Sequence, residues 1–100
     1  MQAILEILLI GNNKPIMETI ARLVDKEGIW KATIAFSLNE ALETVNTKDF
    51  KVALLCAGIP DEQTLLEKLA AVKPTLPIVK HYGGGSGLLF AEIYQALSAG

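Results

Sequence analysis

The sequence is short of the residues from which disulfides and metal sites are built. Its 100 residues include one cysteine, Cys56, and one histidine, His81. A single cysteine cannot form a disulfide within the chain, and it excludes a cysteine-rich metal cluster. With only one histidine beside it, a dedicated zinc site within one chain is not expected. The sequence therefore predicts a protein with no metal and no cofactor.

An excess of positive charge and long apolar runs are also missing. Nine Lys and Arg residues face eleven Asp and Glu residues, which gives a net charge of −2. Without a basic stripe, nucleic acid is not expected as a partner. The apolar runs fall short of the roughly 20 residues that a membrane span needs, and no basic segment precedes an apolar one as in a secretory signal. We expect a cytoplasmic protein without membrane contact.

Apolar residues, in contrast, are abundant. They make up 51% of the chain, and the mean hydropathy is +0.38. The length predicts one domain, residues 1–100, with a single modest core. Such a high apolar content in a small chain indicates either a very efficient core or an apolar face that a partner covers.

Four segments rich in β-formers predict strands at residues 4–10, 29–36, 51–56 and 76–82. The first is interrupted only by Glu6, which is typical of a strand buried on both faces of a parallel sheet. The second contains Trp30, Lys31 and Thr33 and predicts a less buried edge strand. Cys56 stands at the carboxyl end of the third, where open α/β sheets carry their ligands and chemistry.

Helical patterns follow each of these segments. Asn12 or Asn13 can cap the first helix, Ser37 and Glu40 have capping-box spacing, and Asp61 and Glu62 begin the third helix. A glycine-rich loop at residues 83–87 precedes a last helix at residues 88–97. The expected inward-facing residues of the first three helices are Ile16, Ile20, Leu23, Val24, Ala41, Leu42, Val45, Leu65, Leu66, Leu69 and Val72. Strand–helix alternation of this kind predicts an α/β fold with a parallel sheet.

Four segments carry a family resemblance: ILLIGNN, KVALLCAGIP, KPTLPIV and the terminal AEIYQALSAG. In this order and spacing, the chain resembles the receiver domain of bacterial response regulators (CheY-like domains) over nearly its whole length. The resemblance implies a flavodoxin-like, three-layer α/β/α architecture. It implies a four-stranded parallel sheet in the order 2-1-3-4, with two helices on each face.

The chemistry of that family does not carry over to these residues. Receivers place acids after strand one to hold Mg²⁺, where this chain has Gly11, Asn12 and Asn13. They place a phosphoacceptor Asp at the end of strand three, where this chain has Cys56. The family's Ser or Thr after strand four is replaced by His81 or Tyr82, and its lysine-bearing fifth strand has no counterpart. The resemblance implies a degenerate pseudo-receiver, a non-catalytic interaction module in signalling that is not phosphorylated on Asp.

Two alternative functions stay open from the sequence. Because strands three and four are neighbours, His81 could activate the Cys56 thiol in a small enzyme or redox protein. The glycine loop, together with Asn12 and Asn13, could instead bind a phosphorylated small molecule. The candidate ligand-binding residues are therefore Asn12, Asn13, Cys56, His81, Tyr82 and Ser86.

Strand four would form an open edge in a sheet without a fifth strand, and the face that a fifth helix would cover would be bare. Lys80 alone could protect this edge from aggregation. Together with the high apolar content, however, the open edge predicts a homodimer through strand four and the last helix. The expected interface residues are Ile78, Lys80, Phe90 and Tyr94.

Overall fold

A computed structural model describes residues 4–56, 59, 61–81 and 85–99. Strands and helices alternate as the sequence predicts. Their bounds are β1 (Leu5–Ile10), α1 (Lys14–Lys26), β2 (Trp30–Ala35), α2 (Leu38–Thr44), β3 (Phe50–Cys56), α3 (Glu62–Val72), β4 (Ile78–His81) and α4 (Gly85–Ala99).

The four strands form one parallel sheet in the order β2-β1-β3-β4. This order, with helices on both faces, confirms the flavodoxin-like α/β architecture. The central strands β1 and β3 are buried on both faces, since residues 7–10 and 52–56 are all buried. Such unbroken apolar burial explains why these two segments lack the alternating pattern of a strand with one wet face.

Two helices cover each face of the sheet. One core layer lies under α1 and α4 and includes Ile7, Leu9, Leu54 and Ile93. The other lies under α2 and α3 and includes Leu8, Ile10, Leu55 and Leu65. Helix α4 packs on β3 and β4 and beside α1. The expectation of a bare helix face is therefore wrong, because the last helix occupies it.

Helix α1 shows how local signals set the boundaries. The Asn13 side chain accepts a hydrogen bond from the Ile16 amide at 3.1 Å and caps the helix, with Pro15 in its first turn. The helix ends at the Glu27 cap, and Gly28 follows with a φ of +78°, a conformation that favours glycine. Ser37 caps α2 in the predicted manner, accepting from the Glu40 amide at 3.2 Å.

Two predicted core positions, Ile16 and Val72, are exposed, and Met17 is buried in place of Ile16. The buried stripe of α1 is Met17, Ile20 and Val24, so it keeps Ile20 and Val24 of the predicted stripe. Leu23, Leu42 and Leu66 are half-buried at the margins of the two core layers.

The segments around β4 also differ from the prediction. Strand β4 begins at Ile78 rather than at residue 76, because Pro77 contributes only its carbonyl, which accepts from the Ala53 amide at 2.9 Å. Helix α4 begins at Gly85, so residues 85–87 form its first turn instead of a loop. Within the described ranges, no helix has both the length and the apolar content that crossing a bilayer requires.

Candidate functional site

The carboxyl ends of the parallel strands meet at one edge of the sheet, where two predicted site residues, Cys56 and His81, lie side by side. Gly11 follows β1, Cys56 ends β3, and His81 ends β4. Cys56 and His81 are direct register partners, so their side chains leave the sheet on the same face. That face is the one covered by α1 and α4, since Cys56 belongs to its core layer.

The space between β1 and β3 at this edge is filled by Met17. The Met17 Sδ would lie 2.5 Å from a Cβ added to Gly11, and the Cys56 Cβ would lie 3.1 Å from it. A side chain at position 11 therefore has no room, which explains why glycine stands there. Met17 and Cys56 thus both lie against the bare backbone of Gly11.

The Cys56 thiol is poorly suited to nucleophilic work. It is 4% exposed. Burial raises its pKa to about 11, and the nearby Glu92 carboxylate adds to this rise. An activated cysteine needs the opposite, a lowered pKa and access to solvent. In the described part of the chain no hydrogen bond joins this thiol to His81.

His81 is instead bonded to Glu92, a residue that the sequence reading missed. Its Nδ1 and the Glu92 Oε1 form a hydrogen bond. His81 is 6% exposed, so this bond satisfies a polar ring that would otherwise be buried without a partner. The sequence does contain a signal that sets Glu92 apart, because it is the only charged residue in the segment that forms α4.

Of the remaining candidate ligand residues, the structure describes the surroundings of Asn12 and Asn13 alone. The Asn13 oxygen is used by the cap of α1, and Asn12 is exposed in the turn before it. Tyr82 lies outside the described residues, and so does the side chain of Ser86. In the described residues, no group of three or more Cys, His, Asp or Glu side chains could hold a metal ion.

The four predicted interface residues lie on two opposite faces of the sheet. Ile78 packs against the α2–α3 layer, and Lys80 points to the same side, where its Nζ lies 3.0 Å from Glu62 of α3. Phe90 packs against the α1–α4 layer. Tyr94 lies on the same helix, with its ring centroid 4.9 Å from that of Trp30. Ile78 and Lys80 therefore face one helical layer, and Phe90 and Tyr94 belong to the other.

Strand β2 lies at the edge of the sheet and is less buried than β1 and β3, as the sequence predicts, but Trp30 is an exception. It is buried, because Phe90 and Tyr94 of α4 pack over its ring. The Trp30 Nε1 has no hydrogen-bond partner in the described structure. The Trp30 ring supports α4 where that helix packs on the sheet.

A separate pocket of about 250 Å³ lies at the amino ends of β3 and β4. It is lined in part by Asp49, Lys51 and Lys73, and the Lys51 Nζ lies 2.8 Å from the Asp49 carboxylate. Lys51 lowers the pKa of this carboxyl by hydrogen bonding and charge. The pocket is at the opposite end of the sheet from Cys56 and His81.

Comparison with known proteins identifies the fold. No family model matches the sequence, and no curated protein matches it. Among solved structures, a sensor protein from Polaromonas sp. JS666 superposes with a TM-score of 0.84 at 16% identity, covering 95% of this chain and 97% of that one. A CheY-like response regulator receiver domain protein from Methanospirillum hungatei JF-1 superposes with a TM-score of 0.83 at 20% identity, with coverage of 97% and 96%.

A third match is the response regulator protein TrrA from Thermotoga maritima in complex with Mg²⁺-BeF. It superposes with a TM-score of 0.83 at 14% identity, covering 94% of this chain and 100% of that one. At these identities the similarity concerns the fold, which agrees over nearly the whole chain. The chain therefore has the fold of a response-regulator receiver domain.

Proposed function

We propose that the chain is a non-catalytic, receiver-like module that acts in signalling through protein contacts and is not phosphorylated on aspartate. The observation that supports this most directly lies at the carboxyl end of β3. The residue there is a buried thiol, Cys56, and Met17 occupies the adjoining space above Gly11.

The chemistry of this edge argues against phosphoryl transfer. An acyl phosphate requires a carboxylate, and a thiol cannot form one. Mg²⁺ requires several oxygen ligands and favours anionic ones, whereas residues 11–13 are Gly, Asn and Asn. The Asn13 side-chain oxygen already accepts the hydrogen bond that caps α1. Among the described residues, the ends of β1 and β3 therefore offer neither a carboxylate acceptor nor a set of anionic metal ligands.

Exposure to acetyl phosphate with Mg²⁺, and separately to BeF₃⁻ with Mg²⁺, tests this proposal. Intact-mass spectrometry should find no phosphoryl adduct, and the melting temperature should not respond to BeF₃⁻. The TrrA protein, solved with Mg²⁺-BeF, serves as the positive control. A Mg²⁺-dependent adduct or a BeF₃⁻-dependent rise in melting temperature would show that the module is a working switch.

A thiol-dependent enzyme is less well supported. Its nucleophile would be buried with a raised pKa, and its proposed base, His81, is bound through Nδ1 to Glu92. A binder of phosphorylated small molecules is also less well supported, because Asn12 is exposed in a turn and the Asn13 side-chain oxygen is used by the α1 cap. We expect a thermal-shift screen of nucleotides and sugar phosphates to be flat.

The proposal includes a cytoplasmic location and self-association. The exposed apolar side chains Leu88 and Tyr94 on α4 support the second part.

A further inference from the structure

The pocket at the amino ends of β3 and β4 has no part in the proposed function. Its volume is about 250 Å³, which is below the roughly 300–1,000 Å³ of pockets that bury drug-sized ligands. It therefore suits a smaller organic molecule. None of the residues that line it belongs to the candidate site at the other end of the sheet.

One part of the lining is apolar and continues the protein core. Val45 and Phe50 are buried members of the α2–α3 core layer. Leu76 and Pro77 are half-buried beside them. A ligand that covers these side chains removes apolar surface from water, which favours binding of an apolar group.

The other part of the lining carries charges of both signs, with an excess of positive charge. Lys51 and Lys73 stand against a single carboxylate, that of Asp49. The Lys51 Nζ lies 2.8 Å from this carboxylate, so these two charges offset each other. The Lys73 side chain forms no hydrogen bond or ion pair with another residue that the structure describes. Its positive charge is therefore open to a ligand.

Lys73 is held at the pocket by the backbone around it. Its amide donates to the Leu69 carbonyl at 2.7 Å, and its carbonyl accepts from the Leu76 amide at 3.1 Å. The Pro77 carbonyl in turn accepts from the Ala53 amide at 2.9 Å, which ties this segment to β3. A site whose groups are already in place loses less conformational freedom when a ligand binds.

The carboxyl of Asp49 shows that the charges of this pocket favour an anion. Lys51, by hydrogen bonding and by charge, and to a smaller extent Lys73, by charge, lower its pKa. The same charges would stabilise a second carboxylate placed beside Lys73. A phosphate dianion fits less well, because one of its two negative charges would lack a partner and would be repelled by Asp49.

We propose that this pocket binds a small organic monocarboxylate, whose carboxylate pairs with Lys73 and whose apolar part packs against Phe50 and Pro77. The site lies apart from Cys56 and His81 and does not depend on the proposed signalling role. Because the pocket is small and its charged rim is exposed to solvent, we expect weak binding, with a dissociation constant on the order of 1 mM.

Titration with benzoate, followed through the amide chemical shifts by NMR, tests the proposal with a ligand of the expected class. Benzoate should cause saturable shifts at residues 49–51, 73, 75 and 76, and should leave residues 54–56 unchanged. Benzylamine has nearly the same shape and the opposite charge, so it should cause no saturable shifts in the pocket.

Two variants and a matched control test the part played by the charges. Lys73→Gln should raise the dissociation constant for benzoate about tenfold, because a charge-assisted hydrogen bond is lost. Lys68→Gln, at an exposed lysine of α3 that does not line the pocket, should leave it unchanged. Asp49→Asn removes the competing carboxylate and should tighten binding several-fold, a gain that a loss of folding cannot imitate.

Three results would overturn the proposal. They are the absence of saturable shifts up to about 20 mM benzoate, equal shifts with benzylamine, and an unchanged dissociation constant in Lys73→Gln. Inorganic phosphate that binds more tightly than benzoate would overturn the assignment to a monocarboxylate. Melting temperatures of the variants verify that each is folded before it is titrated.

Discussion

At the scale of single residues, the packing around Gly11 leaves no room for a side chain. A Cβ at this position would meet the Met17 Sδ at 2.5 Å and the Cys56 Cβ at 3.1 Å. We expect Gly11→Ala to lower the free energy of unfolding by about 1–3 kcal/mol, because overpacking forces neighbouring atoms apart. Urea denaturation of dilute protein measures the change.

Gly87 provides the matched control for this substitution. Nothing described lies within 4 Å of a Cβ added there, and the residue is in the first turn of α4. Gly87→Ala should therefore stabilise the protein by up to about 1 kcal/mol, since alanine is the better helix former. Equal effects at the two glycines would show that Met17 does not fill the space above β1.

The Cys56 thiol predicts a loss of stability in alkali. Burial, with Glu92 adding to it, raises its pKa from 9.0 to about 11. A raised pKa in the folded state means that the stabilisation is complete below pH 9 and is lost as the pH rises through 11. Since one pKa unit corresponds to about 1.4 kcal/mol, the full loss is on the order of 3 kcal/mol.

Cys56→Ala isolates this effect. Lysine and tyrosine residues titrate in both proteins, so the difference between wild type and variant between pH 8 and pH 11 reports the thiol alone. Alkylation of native wild-type protein by iodoacetamide should have its rate midpoint near the raised pKa. A midpoint near that of free cysteine would instead support the thiol-enzyme alternative.

At the scale of secondary-structure elements, the hydrogen bond between His81 of β4 and Glu92 of α4 holds the helix against the strand. Glu92→Leu leaves the buried imidazole without its partner, which we expect to cost about 1–3 kcal/mol. The double variant His81→Leu/Glu92→Leu should recover most of that loss, because apolar residues replace a buried pair at little cost. A double-mutant cycle by urea unfolding measures the coupling.

The exposed Lys51–Asp49 pair, with its 2.8 Å contact, is the control for this cycle. Lys51→Ala should cause no measurable loss of stability, because solvent and salt screen an exposed pair. If the coupling of His81 and Glu92 proved as small as that of this pair, α4 would be held by its apolar residues alone.

The helices also show where sequence reasoning succeeds and where it does not. Caps are local, so Asn13 and Ser37 could be assigned from neighbouring residues. The rotation of a helix about its own axis, in contrast, depends on the elements that pack against it and cannot be assigned from neighbouring residues. Either Ile16 or Met17 would fit the apolar stripe of α1. Met17 is the buried one, because Gly11 has no side chain and leaves room for it.

The same distinction applies to the site. Strand order predicted that Cys56 and His81 would be neighbours, and they are register partners. Their chemistry depends on a third element, α4, which supplies Glu92 both to the imidazole and to the surroundings of the thiol. Spacing within a sequence does not reveal which residue of a distant helix turns inward.

At the scale of the whole molecule, self-association through α4 predicts a melting temperature that depends on concentration. Because only the folded chain presents the α4 face, dimerisation stabilises it by mass action. The melting temperature of the wild type should rise from micromolar to millimolar protein, and that of Ala91→Glu, which places a charge on this exposed face, should stay constant. Differential scanning calorimetry at several concentrations checks this, and parallel curves for both proteins would contradict it.

The packing of Met17 and Cys56 against Gly11 limits which substitutions the molecule can accept at this edge of the sheet. A carboxylate introduced at position 11 would collide with the thioether. One introduced at position 56 would be buried close to the Glu92 carboxylate, which would repel it. Each of these single substitutions therefore lowers stability. A carboxylate-based metal site can be built at this edge only through several substitutions made together.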